Sequence, residues 1–265
     1  MRKFSFLCVV ACFCAGAIFM NCNNANSGTG TENGGGGGSV STIKAKVENG
    51  NNYNDEIDEV WLMVYDVDDE YFENGEQLTK CKYKNGSFEI NLPSTVKSSL
   101  LWAADDVSET ETSIPDFDIT ISDKSAKIVS PWIEAYSDGE YYGEFIYGKY
   151  KFNEETKASS TVIAMYYYAD RDVTIKGSGS GGNNYYSMEV EFNLSFKKGW
   201  NEAFSIIETE YSGTGYLMTT KFISKGQSGL KWYFEKDWVE LMQDDSKVTE
   251  LKNICEYSKK LIIRK

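Results

Sequence analysis

Residues 40–48, VSTIKAKVE, alternate apolar and polar with a period of two, the pattern of a strand with one buried face. The run EVWLMVYDV (59–67) is almost continuously apolar and predicts a central strand. LTKCKYKNGSFEINLP (78–93) predicts a hairpin, because Asn85-Gly86 accepts the two positive φ angles of a tight turn between strand-forming residues. SSLLWAAD (98–105) then closes a first lobe over residues 40–108.

An acid- and hydroxyl-rich linker, DVSETETSIPDFD (106–118), separates this lobe from a second set of strand patterns over 115–236. These are FDITIS, SAKIVSPWIEAY, YYGEFIYGKYKF and the strongly apolar STVIAMYYYA (160–169). RDVTIKG and YYSMEVEFNLSF flank GSGSGG (177–182), which reads as a flexible hairpin loop. AFSIIETEY and YLMTTKFIS flank Ser212-Gly213-Thr214-Gly215, another hairpin, and LKWYF (230–234) ends the series. Strands spaced about ten residues apart with turn signals between them predict an all-β fold, a β-sandwich in one or two lobes.

Residues 237–265 carry a different period. Ser246 is placed to cap a helix, and Val248, Leu251, Cys255, Ser258 and Ile262 recur at helical spacing, predicting a C-terminal amphipathic helix. Lys259, Lys260, Arg264 and Lys265 in its last turns suit the helix dipole.

The first 39 residues resemble neither lobe. Arg2 and Lys3 precede seventeen uncharged residues, Phe4 to Met20, which read as an export leader over 1–21. Residues 22–39 are almost entirely Asn, Ser, Thr and Gly, with five consecutive glycines at 34–38, the composition of a flexible tether. The junction Ile18-Phe19-Met20-Asn21-Cys22 resembles the lipobox of bacterial lipoprotein precursors, although Asn21 stands where a small residue is usual. That resemblance implies acylation of Cys22 and attachment to a membrane through the lipid. A cut after Ala17, at Ala15-Gly16-Ala17, is the other reading and would release a soluble exported protein.

The order of Ile43 to Val47, Val60 to Tyr65 and NGSFEINLP (85–93) resembles the prealbumin-like sandwiches of exported bacterial proteins. FNLSFKKGWNEAFSII followed by SGLKWYF is similar to the end of uncharacterised exported lipoproteins of Gram-negative bacteria. Lys198-Gly199-Trp200-Asn201 and Gly229-Leu230-Lys231-Trp232 carry this second likeness. It implies an outer-membrane lipoprotein and supplies no activity. Structurally, Gly199 is expected to turn the chain and Trp200 to anchor the next strand in the core.

Composition removes several chemistries. The formal net charge is −13 and the acid excess is greater once the leader with Arg2 and Lys3 is removed, so no basic face for nucleic acid is expected. The chain has no histidine, which removes Ser-His-Asp and Cys-His catalysis, HExxH zinc sites and imidazole proton switches. Outside the leader, Cys22 is the lipid candidate, and Cys81 and Cys255 are either a disulfide or two buried thiols.

Weaker motifs remain. GSGSGG contains G-x-G-x-x-G, but a strand-like segment follows it where a dinucleotide site needs a helix. Asp66, Asp68, Asp69 and Glu70 form an acidic loop that is a weak metal candidate; Tyr71 stands where an EF-hand needs glycine, and a solvated loop is the simpler reading. Ser-x-x-Lys recurs four times, including Ser41-Lys44 and Ser195-Lys198 in strand-like stretches, as chance would give. No cofactor is implied.

Aromatic residues make up 14% of the chain, including the runs Tyr141-Tyr142, Tyr166 to Tyr168 and Tyr185-Tyr186. Adjacent strand residues face opposite ways, so about half of each run could reach the surface and serve glycan or protein partners, while packing in the core and across strands is the simpler reading for most of them. The expected function is a non-enzymatic binding or structural role at the cell envelope. The rival is a carboxylate-dependent glycan hydrolase, for which 40 acidic residues offer no selectable pair.

Overall fold

The computed structural model describes residues 40–65, 75–106, 118–183, 186–212 and 215–243. The fold is all-β and sandwich-like, with one short helix near the C-terminal end of the described chain. β1 (Thr42–Lys46) pairs antiparallel with β4 (Ser87–Asn91) as a two-stranded layer. Both strands keep strict alternation, so Ile43, Ala45, Phe88 and Ile90 all point inward.

The facing layer contains β2 (Glu59–Val64), β3 (Glu76–Lys82), β8 (Trp132–Ser137) and β9 (Glu140–Asn153), paired in the order β3-β2-β8-β9. Val60, Leu62 and Val64 are essentially inaccessible and face β1 and β4. Phe88 lies 4.9 Å from Phe145 and 5.3 Å from Trp232, ring centroid to centroid, across the two layers.

The predicted 78–93 hairpin needs correction. Asn85 and Gly86 do take positive φ, 53° and 67°, and Lys84 and Ser87 exchange backbone hydrogen bonds. Beyond that bridge the strands part, β3 to pair with β2 and β4 to pair with β1. The turn is a corner between layers, and the strands separate because the inward side chains of β4 pack across the sandwich on β2.

The same sheet continues from β9 into β10 (Ala158–Ala169), β13 (Gly199–Ser212), β14 (Gly215–Ile223), β12 (Tyr186–Phe196), β11 (Val173–Asn183) and β6 (Asp118–Ile121). β13 and β14 form the expected hairpin, and β14 lies between β12 and β13, parallel to the former. β5 (Trp102–Ala103) pairs with β7 (Lys127–Val129), and β7 with the end of β10. Because β2 pairs with β8, the sheet runs through both segments, 40–108 and 115–236.

The end of β10, from Tyr166 to Ala169, is buried on both faces. Tyr166 and Tyr168 enter the core shared with β1 and β4, while Tyr167 enters a second core with Ile175, Phe192, Phe196 and Phe222. The run Tyr166 to Tyr168 is therefore core, the simpler of the two readings of its sequence. The glycine run is also corrected: Gly177, Gly179, Gly181 and Gly182 are not a loop but lie inside β11, paired residue by residue with β12. A Cβ at Gly177 would lie 2.3 Å from the Asp118 carbonyl oxygen, so glycine permits the close approach of β6. A strand follows this motif rather than a helix, so the geometry of a pyrophosphate site is not formed.

Gly199, with φ 98°, turns the chain between β12 and β13. Trp200 anchors the new strand, buried in the first core with its Nε1 donating to the Pro93 carbonyl at 2.7 Å. β15 (Lys231–Phe234) pairs with β9 and runs directly into α1 (Glu235–Gln243). α1 packs Trp238 onto Gly148 of β9, where a Cβ would meet the indole at 2.7 Å. The helix predicted after Ser246 lies outside the described residues. No helix among the described residues is long and apolar enough to cross a membrane.

Candidate functional site

The outer side of β2, β8 and β9, opposite the first core, gathers carboxylates and aromatic rings. Glu59 and Trp61 occupy this side of β2, and Glu134 and Tyr136 are their neighbours on β8. Trp61 stacks on Tyr136 with centroids 3.8 Å apart and planes 14° from parallel. Lys80 of β3 lies 5.2 Å from the Trp61 ring and bonds Glu59 at 2.8 Å, and Lys82 reaches the same carboxylate at 3.0 Å. These lysines and the Trp61 indole N–H hold the Glu59 carboxyl down at about 2.

Glu134 is only 2% exposed. Its two oxygens accept hydroxyl hydrogen bonds from Tyr65 at 2.7 Å and Tyr136 at 2.9 Å. Burial raises its pKa and the two hydroxyls oppose that rise. Directly opposite on β9 stands Glu144. Burial, then Glu235 of α1, then Glu134 push the Glu144 carboxyl up to about 8, against a hydrogen bond from Tyr141 at 3.3 Å. Glu235 is raised by its own burial, although its carboxylate accepts the backbone N–H of Glu144.

The β8–β9 hairpin turns at Asp138 (φ 50°) and Gly139 (φ 84°), with the Asp138 N–H donating to Asp58 at 2.9 Å. A bulge follows. Tyr136 pairs with Tyr141 but Ala135 pairs with Gly143, so Tyr142 is the extra residue. The bulge breaks the alternation that would hide one tyrosine, and both are exposed: Tyr141 at 54% and Tyr142 at 42%. Tyr142 stacks on Phe234 at 5.6 Å and donates its hydroxyl to Glu56, while Tyr141 meets the Tyr136 ring edge-on at 6.3 Å. Gly143 is required beneath them, since a Cβ would lie 2.6 Å from the Phe234 ring.

This geometry bears on the hydrolase reading. Cβ atoms of directly opposed strand residues are about 4.5–5.5 Å apart, so Glu134 and Glu144 are close enough to suggest a catalytic pair. Glu134, however, is sealed from solvent and both of its oxygens are taken by tyrosine hydroxyls. Glu134 is thus held as the acceptor of two tyrosine hydroxyls and not offered to a substrate.

Other buried acids are local. Glu202 on β13 faces Tyr166 on β10 and bonds its hydroxyl, and Tyr53 donates to Asp237 of α1 at 2.8 Å. Among the described residues no group of three ligating side chains is placed to hold a metal.

Of the sites predicted from sequence, Cys22, the loop Asp66, Asp68, Asp69 and Glu70, and Cys255 lie outside the described residues. Cys81 is half-buried in β3, and burial pushes its thiol up to about 11. Tyr186 is half-buried, 5.1 Å from Tyr216. Sequence reasoning missed Glu134, Glu144 and Glu235. The available signal was an acid inside an apolar strand, as in WIEAY and GEFIYG, next to aromatic residues of the same face. No family model matches the chain, and neither does any curated protein or solved structure.

Proposed function

We propose that the chain is a non-enzymatic, lipid-anchored binding module of the bacterial cell envelope, which contacts glycan through the β8–β9 hairpin. The observation that carries this reading is the bulge that presents Tyr141 and Tyr142 together, each backed by a packed ring beneath it. Rings already held in place lose little freedom on stacking against a sugar, and the carboxyl groups of Glu56 and Glu144 beside them are placed to hydrogen-bond sugar hydroxyls. A sealed Glu134 argues against hydrolysis at the same face. The lipid anchor rests on the leader, the lipobox-like junction at Cys22 and the glycine tether; the outer membrane of a Gram-negative cell is the location these features suggest.

The test is co-sedimentation of the purified chain with insoluble envelope polysaccharide, peptidoglycan sacculi first. Wild type is expected to bind. Tyr141→Ala with Tyr142→Ala is expected to lose at least tenfold in affinity with its far-UV spectrum intact, and no reducing ends are expected to be released. Equal binding by the double variant would overturn the assignment of the face, and release of sugar would overturn the non-enzymatic reading. Metabolic labelling with a fatty acid, lost in Cys22→Ala, tests the anchor. An intact mass beginning at Ile18 would favour the cut after Ala17.

A further inference from the structure

β9, β10, β13, β14 and β12 run on beyond the second core, and there the two faces of the sheet differ in kind. Cross-strand register puts Lys151, Glu208 and Glu189 in one row on one face. The adjacent residues, on the opposite face, form the row Phe152, Ser159, Thr209, Met218, Met188 and Gly181. This row holds no charge, and each of its members is half-buried. At the end of the sheet the same face carries Tyr211, Tyr216 and Tyr186 in one row, with Tyr211 41% exposed. Inward the face is sealed, where Phe192 stacks on Phe222 at 4.7 Å within the second core. A sheet with one charged face and one uncharged face is built to have the uncharged face covered by another layer.

α1 already lies on the uncharged side. Gly148 of β9 pairs with Ile163, and Trp238 takes the place of the side chain that Gly148 lacks. Tyr233, paired with Ile146, lies 5.4 Å from the same indole. β15 runs along β9 from Gly148 to Phe145, and α1 turns back from there, so Gln243 at its end heads toward Phe152. Leu241, close to that end, is 37% exposed. Residues 244–265 continue the chain from this point and lie outside the described residues.

We propose that residues 246–262 form a helix that lies across the uncharged face of β9 to β12 and completes the layer that α1 begins. The sequence period supplies the matching stripe: Val248, Leu251, Cys255, Ser258 and Ile262 share one side of a helix, and Glu250, Asn253, Glu256 and Lys260 fall on the other. The size also matches. Val248 to Ile262 spans about 21 Å as a helix, against about 24 Å from β9 to β11 across the intervening strands. Residues 244–247, about 13 Å when extended, are enough to carry the chain from the end of α1 onto the face. A segment of the same chain starts beside its seat and loses little freedom in reaching it, which favours it over a second copy.

Photo-crosslinking in the full chain tests this, with p-benzoylphenylalanine replacing Met218 on the uncharged face and, separately, Glu208 on the charged one. Linked peptides are identified by mass spectrometry, and mixing with an isotope-labelled copy separates links within a chain from links between chains. The probe at Met218 is expected to join residues 246–262 of its own chain, and the probe at Glu208 is not. Leu251→Asp with Ile262→Asp is expected to lose the Met218 link and to raise binding of an apolar fluorescent dye. The strands are expected to keep their hydrogen-exchange protection in that variant, which separates loss of the contact from loss of the fold. A link from Met218 to a second copy would overturn the proposal and make the face a dimer interface. A link to residues 107–117 instead, equal links from both faces, or no link from Met218 would overturn it as well.

Discussion

Glu134 on β8 and Glu144 on β9 stand opposite each other with no cation in contact with either among the described residues. What stabilises Glu134 is a pair of hydroxyls, from Tyr65 and Tyr136. Glu134→Ala would remove the acceptor that the Tyr65 and Tyr136 hydroxyls share, at an expected cost of roughly 1–3 kcal/mol for the lost hydrogen bonds in a buried place. Glu134→Gln keeps one acceptor oxygen and removes the buried charge, so it is expected to stay within about 1 kcal/mol of wild type. Urea titration of the two variants checks this, and equal losses would show that the hydroxyl contacts are not what holds Glu134.

The second prediction concerns pH. The Glu144 carboxyl sits at about 8 in the folded protein against 4.5 as its ordinary value. A raised acid leaves stability at its maximum below the unfolded value, and that stability is lost as pH rises toward the folded one. Global stability should therefore decline between about pH 4.5 and pH 8 through this group. Glu144→Gln is expected to match wild type at pH 4 and exceed it by about 1–3 kcal/mol at pH 8, a figure kept below the full linkage value because the side chain is only half-buried. Denaturant midpoints at pH 4, 6 and 8 decide it; a variant less stable than wild type at pH 8 would mean that the ionised form is the favoured one.

Asn201 supplies the third. It is 5% exposed and spans the turn from β12 to β13, accepting from the Lys197 N–H at 2.8 Å and donating to the Lys197 and Gly199 carbonyls at 2.7 and 2.8 Å. One side chain thus satisfies three backbone groups that the turn leaves unpaired. Asn201→Ala is expected to cost about 2–3 kcal/mol, and thermal unfolding should show it. A change under 0.5 kcal/mol, on the order expected for an ordinary surface substitution, would mean that solvent satisfies those groups equally well.

The parts of this fold legible in the sequence are those in which one local rule decides. Alternation located β1 and β12; the Asn85-Gly86 turn located the start of β4; the continuous apolar run located β10; Trp200 after Gly199 located a core anchor. Pairing was not legible, because it depends on contacts distant in the chain. Asn85-Gly86 specified a turn faithfully, yet the strands on either side joined different layers. Glycine in GSGSGG signalled backbone freedom, and the fold used it instead for close approach of β6 to β11. The carboxylate cluster was hidden for the same reason. Glu134 and Glu144 stand out only as acids within apolar strands, and the β8–β9 register and the β15–α1 junction are what bring them together with Glu235. The paired exposure of Tyr141 and Tyr142 needed a bulge, which period-two reasoning does not contain.

The layer corner gives the last prediction. Gly86 has φ 67°, and a Cβ there would lie 2.9 Å from the backbone nitrogen of Asn51, in the short helical turn Gly50–Tyr53. Its own N–H donates to the Asn54 side chain at 2.9 Å, and its carbonyl accepts from the Val47 N–H at 2.9 Å, so the corner is tied to two neighbouring segments and has little room to relax. Gly86→Ala combines an unfavourable φ with a backbone clash and is expected to cost about 2–3 kcal/mol. Asn85 has a φ of 53° with no such tie at its side chain, so Asn85→Gly meets the turn's demand equally well and should stay within about 0.5 kcal/mol. Comparing the two variants by chemical denaturation separates the turn's conformational requirement from its packing. Equal losses would show that the asparagine side chain holds the corner, whereas a large loss at Gly86 alone would show that the corner is held by the close approach of backbone to backbone.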